Sequence, residues 1–213
     1  GQFIAHGVPA TLWKMPAQFC GRLLDHVLAD DAEVSHRSIN GFLRASRNFH
    51  YDRHGAVIDR LLGRLDQMWD AASDAERDKL LPLFGAIKNP PSTERLRNLL
   101  AEASEGLRVR ILSQLVHRGC NDVVPDLMEY GRSRDRKLQR TALRTLLTNR
   151  VEDAKPLFRE LMDDPDRDVQ RMGITGFGAV ADRFDETVLR DLMRSGDKKL
   201  AKIAARAFRT KPR

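Results

Sequence analysis

The chain of 213 residues has 41% hydrophobic, 31% charged and only 6% aromatic side chains. That balance disfavours a β-sandwich and suits exposed amphipathic helices with almost no strand. The net charge of +7 is uneven: Lys and Arg number 16 against 17 Asp and Glu over residues 1–131, but 21 against 13 over residues 132–213, so an acidic partner is expected to meet the second region.

No run of 18 apolar residues and no basic-then-apolar N-terminal stretch is present, so neither a membrane span nor a signal peptide is expected. Gly1 in place of Met is expected of a processed or excised segment. Cys20 and Cys120 lack Cys or His neighbours at zinc-ligand spacing and read as small buried apolar groups of a cytoplasmic protein.

In chain order, an irregular arm containing Trp13 precedes two predicted helices, Pro16 to Ala29 and Ser35 to Asn48. Leu65 and Met68 then mark a first helix, and Leu80 and Phe84 a second. Asn89-Pro90-Pro91-Ser92 breaks the helical pattern. The register crosses it unchanged, which predicts a rigid corner between two hairpins. Leu96 and Leu99 open the next pair, and Leu107, Ile111 and Leu115 close it.

From there a 31-residue period is plain. Asp135-Arg-Lys-Leu-Gln-Arg-Thr-Ala142, Asp166-Arg-Asp-Val-Gln-Arg-Met-Gly173 and Asp197-Lys-Lys-Leu-Ala-Lys-Ile-Ala204 are versions of one segment. Leu138, Val169 and Leu200 correspond, as do Ala142, Gly173 and Ala204, and Leu146, Phe177 and Phe208. Each set falls three, seven and eleven residues after its Asp, one apolar stripe of a helix. Leu127, Phe158 and Leu189, with Tyr130, Leu161 and Leu192, mark the first helix of each unit. Asp135, Asp166 and Asp197 stand where a carboxylate can accept the orphan amides of the second helix. Asp122 and Asp153 are expected to do the same for the first helix, with Pro125 and Pro156 in its first turn.

The stretch Leu161-Met-Asp-Asp-Pro-Asp-Arg-Asp-Val-Gln-Arg-Met-Gly-Ile-Thr-Gly-Phe-Gly178 resembles the HEAT-like repeat of the phycobilisome-lyase type, an armadillo-like helical repeat. Val169, Gly173, Phe177 and Gly178 fall on that family's apolar and small positions. The resemblance is good over residues 122–210, moderate over 60–121 and poor before. It implies an all-α solenoid of about six stacked antiparallel hairpins, one domain over residues 1–213. Residues 1–59 would be divergent helices, 60–121 degenerate repeats and 122–213 well-formed repeats. The Arg that usually follows Val in that family is Gln139, Gln170 and Ala201 here, which puts in question the Asp–Arg ladder that often runs between such repeats.

The candidate binding surface is a basic ridge. Positions one and five after each capping Asp are Arg136, Arg167, Lys198 and Arg140, Arg171, Lys202, and four residues on Arg144 and Arg206 extend it. A solvated charged face interrupted by Asp168 and Glu186 would read the same way. His50-Tyr-Asp-Arg-His54 offers two imidazoles at metal spacing without a third ligand. Asp164-Pro-Asp-Arg-Asp168 starts like a calcium loop but has Val169 and Thr175 where Gly and Glu are needed. Gly173-Ile-Thr-Gly-Phe-Gly178 aligns with Ala and Thr of the other repeats, so packing accounts for it better than a phosphate loop does.

No nucleophile elbow, P-loop, carboxylate pair or cofactor fingerprint occurs, so no cofactor, metal or small-molecule substrate is expected. The expected function is a non-enzymatic scaffold or adaptor for a protein partner with an acidic surface. The alternative is contact with a nucleic-acid phosphate backbone through the same ridge, with activity like that of the HEAT-like DNA alkylation glycosylases as a further variant.

Overall fold

The structure is a computed structural model that describes residues 22, 24–27, 29, 31–46, 51–87 and 90–210, excepting the side chains of residues 45, 46, 51–54, 57, 90, 91, 183 and 210. Cys20, Trp13, most of the predicted Pro16 to Ala29 helix and the His50/His54 pair lie outside it. The fold is an all-α solenoid of helical hairpins, and no strand occurs among the described residues. It packs as two compact units, Gly1–Leu107 and Arg108–Arg213.

The helices are α1 (Ala32–Ser46), α2 (Tyr51–Ala71), α3 (Asp74–Ala86), α4 (Pro90–Leu99), α5 (Glu105–Val116), α6 (Val124–Gly131), α7 (Arg136–Thr148), α8 (Lys155–Glu160), α9 (Arg167–Val180), α10 (Glu186–Met193) and α11 (Lys198–Thr210). The second helix of each hairpin begins at Asp74, Glu105, Arg136, Arg167 and Lys198, so the 31-residue register holds through five hairpins. Each is preceded by a capping residue type: Ser73, Ser104, Asp135, Asp166 or Asp197.

In the first unit, α1 starts three residues earlier than its apolar pattern suggests, because Asp31 Oδ1 accepts the amides of Glu33 (2.8 Å) and Val34 (3.2 Å). α3 starts on a self-contained cap, with the amide and hydroxyl of Ser73 both donating to Glu76 Oε2 at 2.7 and 2.6 Å. Of the Pro-rich breaker, Pro90 opens α4, and the buried Ser92 hydroxyl donates to Phe84 O in the last turn of α3 (2.8 Å). Leu65, Leu80, Phe84, Leu96 and Leu99 are buried as their register predicts. Arg95 bridges hairpins through Asp66 (2.5 Å).

In the second unit α7 packs on α9 and α9 on α11, so successive second helices stack. Leu127, Phe158 and Leu189 are fully buried, and so are Ala142, Leu146, Val169, Phe177 and Ala204. Each large apolar side chain among them contributes about 1.5–3 kcal/mol relative to exposure. Tyr130, Leu192, Leu200 and Phe208 are only half-buried. The register also repeats a cation on a ring, Arg159 over Phe177 (6.0 Å) and Arg190 over Phe208 (5.5 Å).

The glycines of α9 are packing devices. A Cβ on Gly173 would meet Leu161 C at 2.8 Å and Met162 N at 2.9 Å, and one on Gly178 would meet Ala207 Cβ at 2.5 Å. A side chain at either position would force helices apart.

Two expectations fail. Asp122 and Asp153 are not N-caps of the first helices: they sit inside short 3-10 turns, Asn121–Val123 and Glu152–Ala154, that lead into α6 and α8. The residues preceding those helices, Val123 and Ala154, accept no side-chain cap bond, whereas Pro125 and Pro156 do occupy the first turns. Cys120 is half-buried rather than buried.

Candidate partner-binding surface

The three octets cap their helices as expected. Asp135 Oδ1 accepts from Lys137 N (2.8 Å) and Leu138 N (3.2 Å), Asp166 Oδ1 from Asp168 N (2.8 Å) and Val169 N (3.2 Å), and Asp197 Oδ1 from Lys199 N (2.9 Å) and Leu200 N (3.1 Å). Those amide bonds hold the Asp166 and Asp197 carboxyls below the ordinary carboxylate range, and Arg136 and Arg167 add to the shift.

The arginines do more than line a ridge. Arg136 lies 3.7 Å from Asp166 Oδ2 and 4.0 Å from Asp164, and Arg167 pairs with Asp197 Oδ2 at 2.8 Å. Each therefore reaches from the start of one second helix to the cap of the next. An Asp–Arg ladder thus exists despite the missing Arg after Val, because the first residue after the cap supplies the cation.

The glutamines that stand in the family's Arg position connect this ladder to the hairpin beneath. Arg136 Nη1 donates to Gln139 Oε1 (2.7 Å), and Gln139 Nε2 donates to Gly131 O (3.2 Å). One repeat on, Arg167 Nη1 donates to Gln170 Oε1 (2.9 Å) and Gln170 Nε2 to Met162 O (2.8 Å). Gly131 ends α6 and Met162 lies in the 3-10 turn Leu161–Asp163 that follows α8, where backbone acceptors lack α-helical partners. Two register steps before Gln139 stands Arg77, whose Nε donates to Trp69 O at 3.1 Å across the same eight-residue span. The sequence signal was present in a glutamine four residues after each of two caps.

Among the ridge cations, Arg140 pairs with Asp168 at 3.2 Å and Arg171 with the same carboxylate at 3.4 Å. Arg136 and Arg167, in the ladder, also face carboxylates of the chain itself. Arg144, Lys198 and Lys202 are exposed and carry no ion pair among the described residues, and Arg206 is exposed beside them in sequence register. Between them stand Asp164, Asp166, Asp168 and Asp197, which break the positive field.

Among the described residues no group of three His, Cys, Asp or Glu is placed to hold a metal ion. Asp164 and Asp166, the start of the calcium-like segment, instead serve the turn before α9, Asp164 Oδ1 accepting Asp166 N at 2.8 Å. Phe158 and Phe177 are fully buried, whereas Phe184 is 78% exposed. No helix among the described residues is long and apolar enough to cross a membrane.

No curated protein matches the chain in sequence. Similar solved structures include the complex of CpcE and CpcF of phycocyanin lyase from Nostoc sp. PCC7120, at 14% identity over 96% of this chain and 78% of that one, with a TM-score of 0.49. Two engineered proteins from the Northeast Structural Genomics Consortium are similar at 16% identity and a TM-score of 0.47, one over 90% of this chain and 95% of its own, the other over 95% and 60%. HEAT repeats match residues 89–175 and 124–209, which together take in the Asp135, Asp166 and Asp197 caps and the ladder. The chain belongs to the HEAT-repeat family.

Proposed function

We propose that the chain is a non-enzymatic HEAT-repeat scaffold that binds a protein partner with an acidic surface, through cations that its own ladder leaves available. The observation that carries this reading is the division of the ridge: Arg136, Arg140, Arg167 and Arg171 have carboxylates within 4.0 Å, while exposed Arg144, Lys198 and Lys202 have none among the described residues. Repeat surfaces bind extended or helical segments over several units. Exposed cations there select acidic partners and speed encounter.

The reading is tested by titrating the full chain with a glutamate-rich peptide and, separately, with a short DNA duplex across salt concentrations. The peptide is expected to bind, and Lys198→Glu with Lys202→Glu to weaken it by about tenfold, 1.4 kcal/mol. Arg136→Glu should lower thermal stability more than it changes binding, because that side chain holds the next cap. Preference for the duplex, with a log–log salt slope near −3 for about three neutralised phosphates, would replace this reading with phosphate-backbone binding.

A further inference from the structure

We infer that the acidic protein held by the ridge is a second copy of this chain, whose first helices dock on its neighbour's second helices around the exposed Phe184. The unit Arg108–Arg213 sorts its charges between the two sides of its hairpins. Second helix stacks on second helix, so the first helices lie along the other side. α7 and α11 carry no acidic residue, and α9 carries only Asp168. The first helices are the reverse. α6 has no cation, Lys155 is held by Asp182 and Asp185, Arg159 lies over Phe177 and Arg190 pairs with Glu186. Asp126, Glu129 and Asp191 on those helices are exposed and carry no ion pair among the described residues.

Both sides keep the 31-residue step. Glu129, Glu160 and Asp191 form one exposed row on the first helices, as Arg140, Arg171 and Lys202 form one row on the second. Rows of one spacing meet repeat for repeat, so a copy laid along its neighbour brings several carboxylates to several cations at once. Because the two sides differ, the contact is head-to-tail. Phe184 supplies its anchor, 78% exposed on the short turn Arg183–Asp185, where the register places Asp122 and Asp153 in the two earlier turns. Those two are exposed although further hairpins follow them, so exposure at this position does not depend on which hairpin is last. The turn is tied twice. Asp182 Oδ1 accepts from Phe184 N (2.7 Å) and Asp185 N (3.2 Å), Asp185 Oδ2 accepts from Asp182 N (3.0 Å), and Lys155 of the preceding hairpin bridges both carboxylates. A ring fixed in advance loses little freedom on docking. The chain already sets Arg159 over Phe177 and Arg190 over Phe208, and Arg144, exposed on α7, offers the neighbour's Phe184 a cation of the same kind.

The inference rests on the reading of the ridge as a surface for an acidic protein. The full chain is followed by sedimentation velocity at rising concentration. Its sedimentation coefficient is expected to rise, and Phe184→Ser to weaken the association about tenfold. Glu129→Lys with Asp191→Lys reverses the acidic side, and Arg144→Glu with Lys202→Glu reverses the basic one. Each doubly altered chain alone should stay monomeric. An equal mixture of the two should associate again, because each side then meets the opposite charge on the other chain.

A chain that stays monomeric while the glutamate-rich peptide binds would overturn this inference and leave the ridge reading standing. Absence of both would overturn both. Association indifferent to Phe184→Ser, or a mixture that associates no better than its two components, would likewise overturn the inference.

Discussion

The second helices of the chain begin in two different ways. α3 and α5 follow serines and open on acidic residues, Asp74 and Glu105, whose charge suits a helix N-terminus. The Ser73 cap is completed within its own turn by Glu76, whose carboxyl is held below its ordinary range mainly by the Ser73 hydroxyl and then by the Ser73 amide. α7, α9 and α11 follow aspartates and open on Arg136, Arg167 and Lys198, a charge that the helix dipole disfavours at that position. The two arginines compensate by reaching the next hairpin's cap. The Ser73 cap closes locally, whereas the Asp166 and Asp197 caps tie neighbouring hairpins together. Part of the basic excess after residue 131 therefore belongs to the stack itself.

The largest effect that could break this comparison lies in the helix contacts. Gly173→Ala should destabilise by about 1–3 kcal/mol, since the added carbon meets backbone atoms that cannot rotate away. Gly63→Ala, in α2 with nothing within 4 Å of its new carbon, should instead stabilise by about 0.5–1 kcal/mol. Chemical denaturation of both variants checks the pair. Equal effects would mean that the tight glycine packing of α9 does not distinguish the later repeats.

Next in size is the glutamine that joins ladder to hairpin. Gln139 is buried, and Gln139→Ala leaves the carbonyl of Gly131 without this donor, which should cost about 1 kcal/mol. Gln139→Glu should be worse than Gln139→Ala, because it loses the same donor and sets a buried carboxylate oxygen against that carbonyl oxygen. Thermal melts of the three chains decide the order.

Periodicity in the sequence made the fold legible, since apolar stripes and capping residues report only local geometry. Leu138, Ala142 and Leu146 lie on one buried face because the helix repeat places them there. The ladder was harder to read. It depends on which of several nearby arginines spans the distance between hairpins, and that follows from stacking, which no single helix encodes. Gln139 and Gln170 looked like departures from a pattern, yet they complete the network that the pattern describes. Asp122 and Asp153 misled for the opposite reason: an Asp three residues before a Pro fits an N-cap locally, but the chain enters α6 and α8 through an additional 3-10 turn. Ser73, which caps α3, stands two 31-residue steps before Asp135.

The smallest effect is also the sharpest test of the two kinds of cap. Asp197→Asn keeps a side chain that can accept the α11 amides and removes only the charge facing Arg167. Combined with Arg167→Met in a double-mutant cycle, it should give a favourable coupling at neutral pH that shrinks as salt rises. Asp135→Asn should leave stability unchanged, because Asp135 caps α7 with no ion pair among the described residues. Acid separates them again. The Asp197 carboxyl is held below its ordinary value of 3.8, first by the amide of Leu200 and also by Lys199 N and Arg167. A depressed folded-state value means that its stabilisation is complete above that ordinary value and is lost as pH falls through the folded one. The coupling to Arg167 should therefore vanish at pH values well below 3.8, where Asp197 and its Asn variant carry the same charge. A coupling that persisted there would show that Arg167 contributes through packing and not through the ladder.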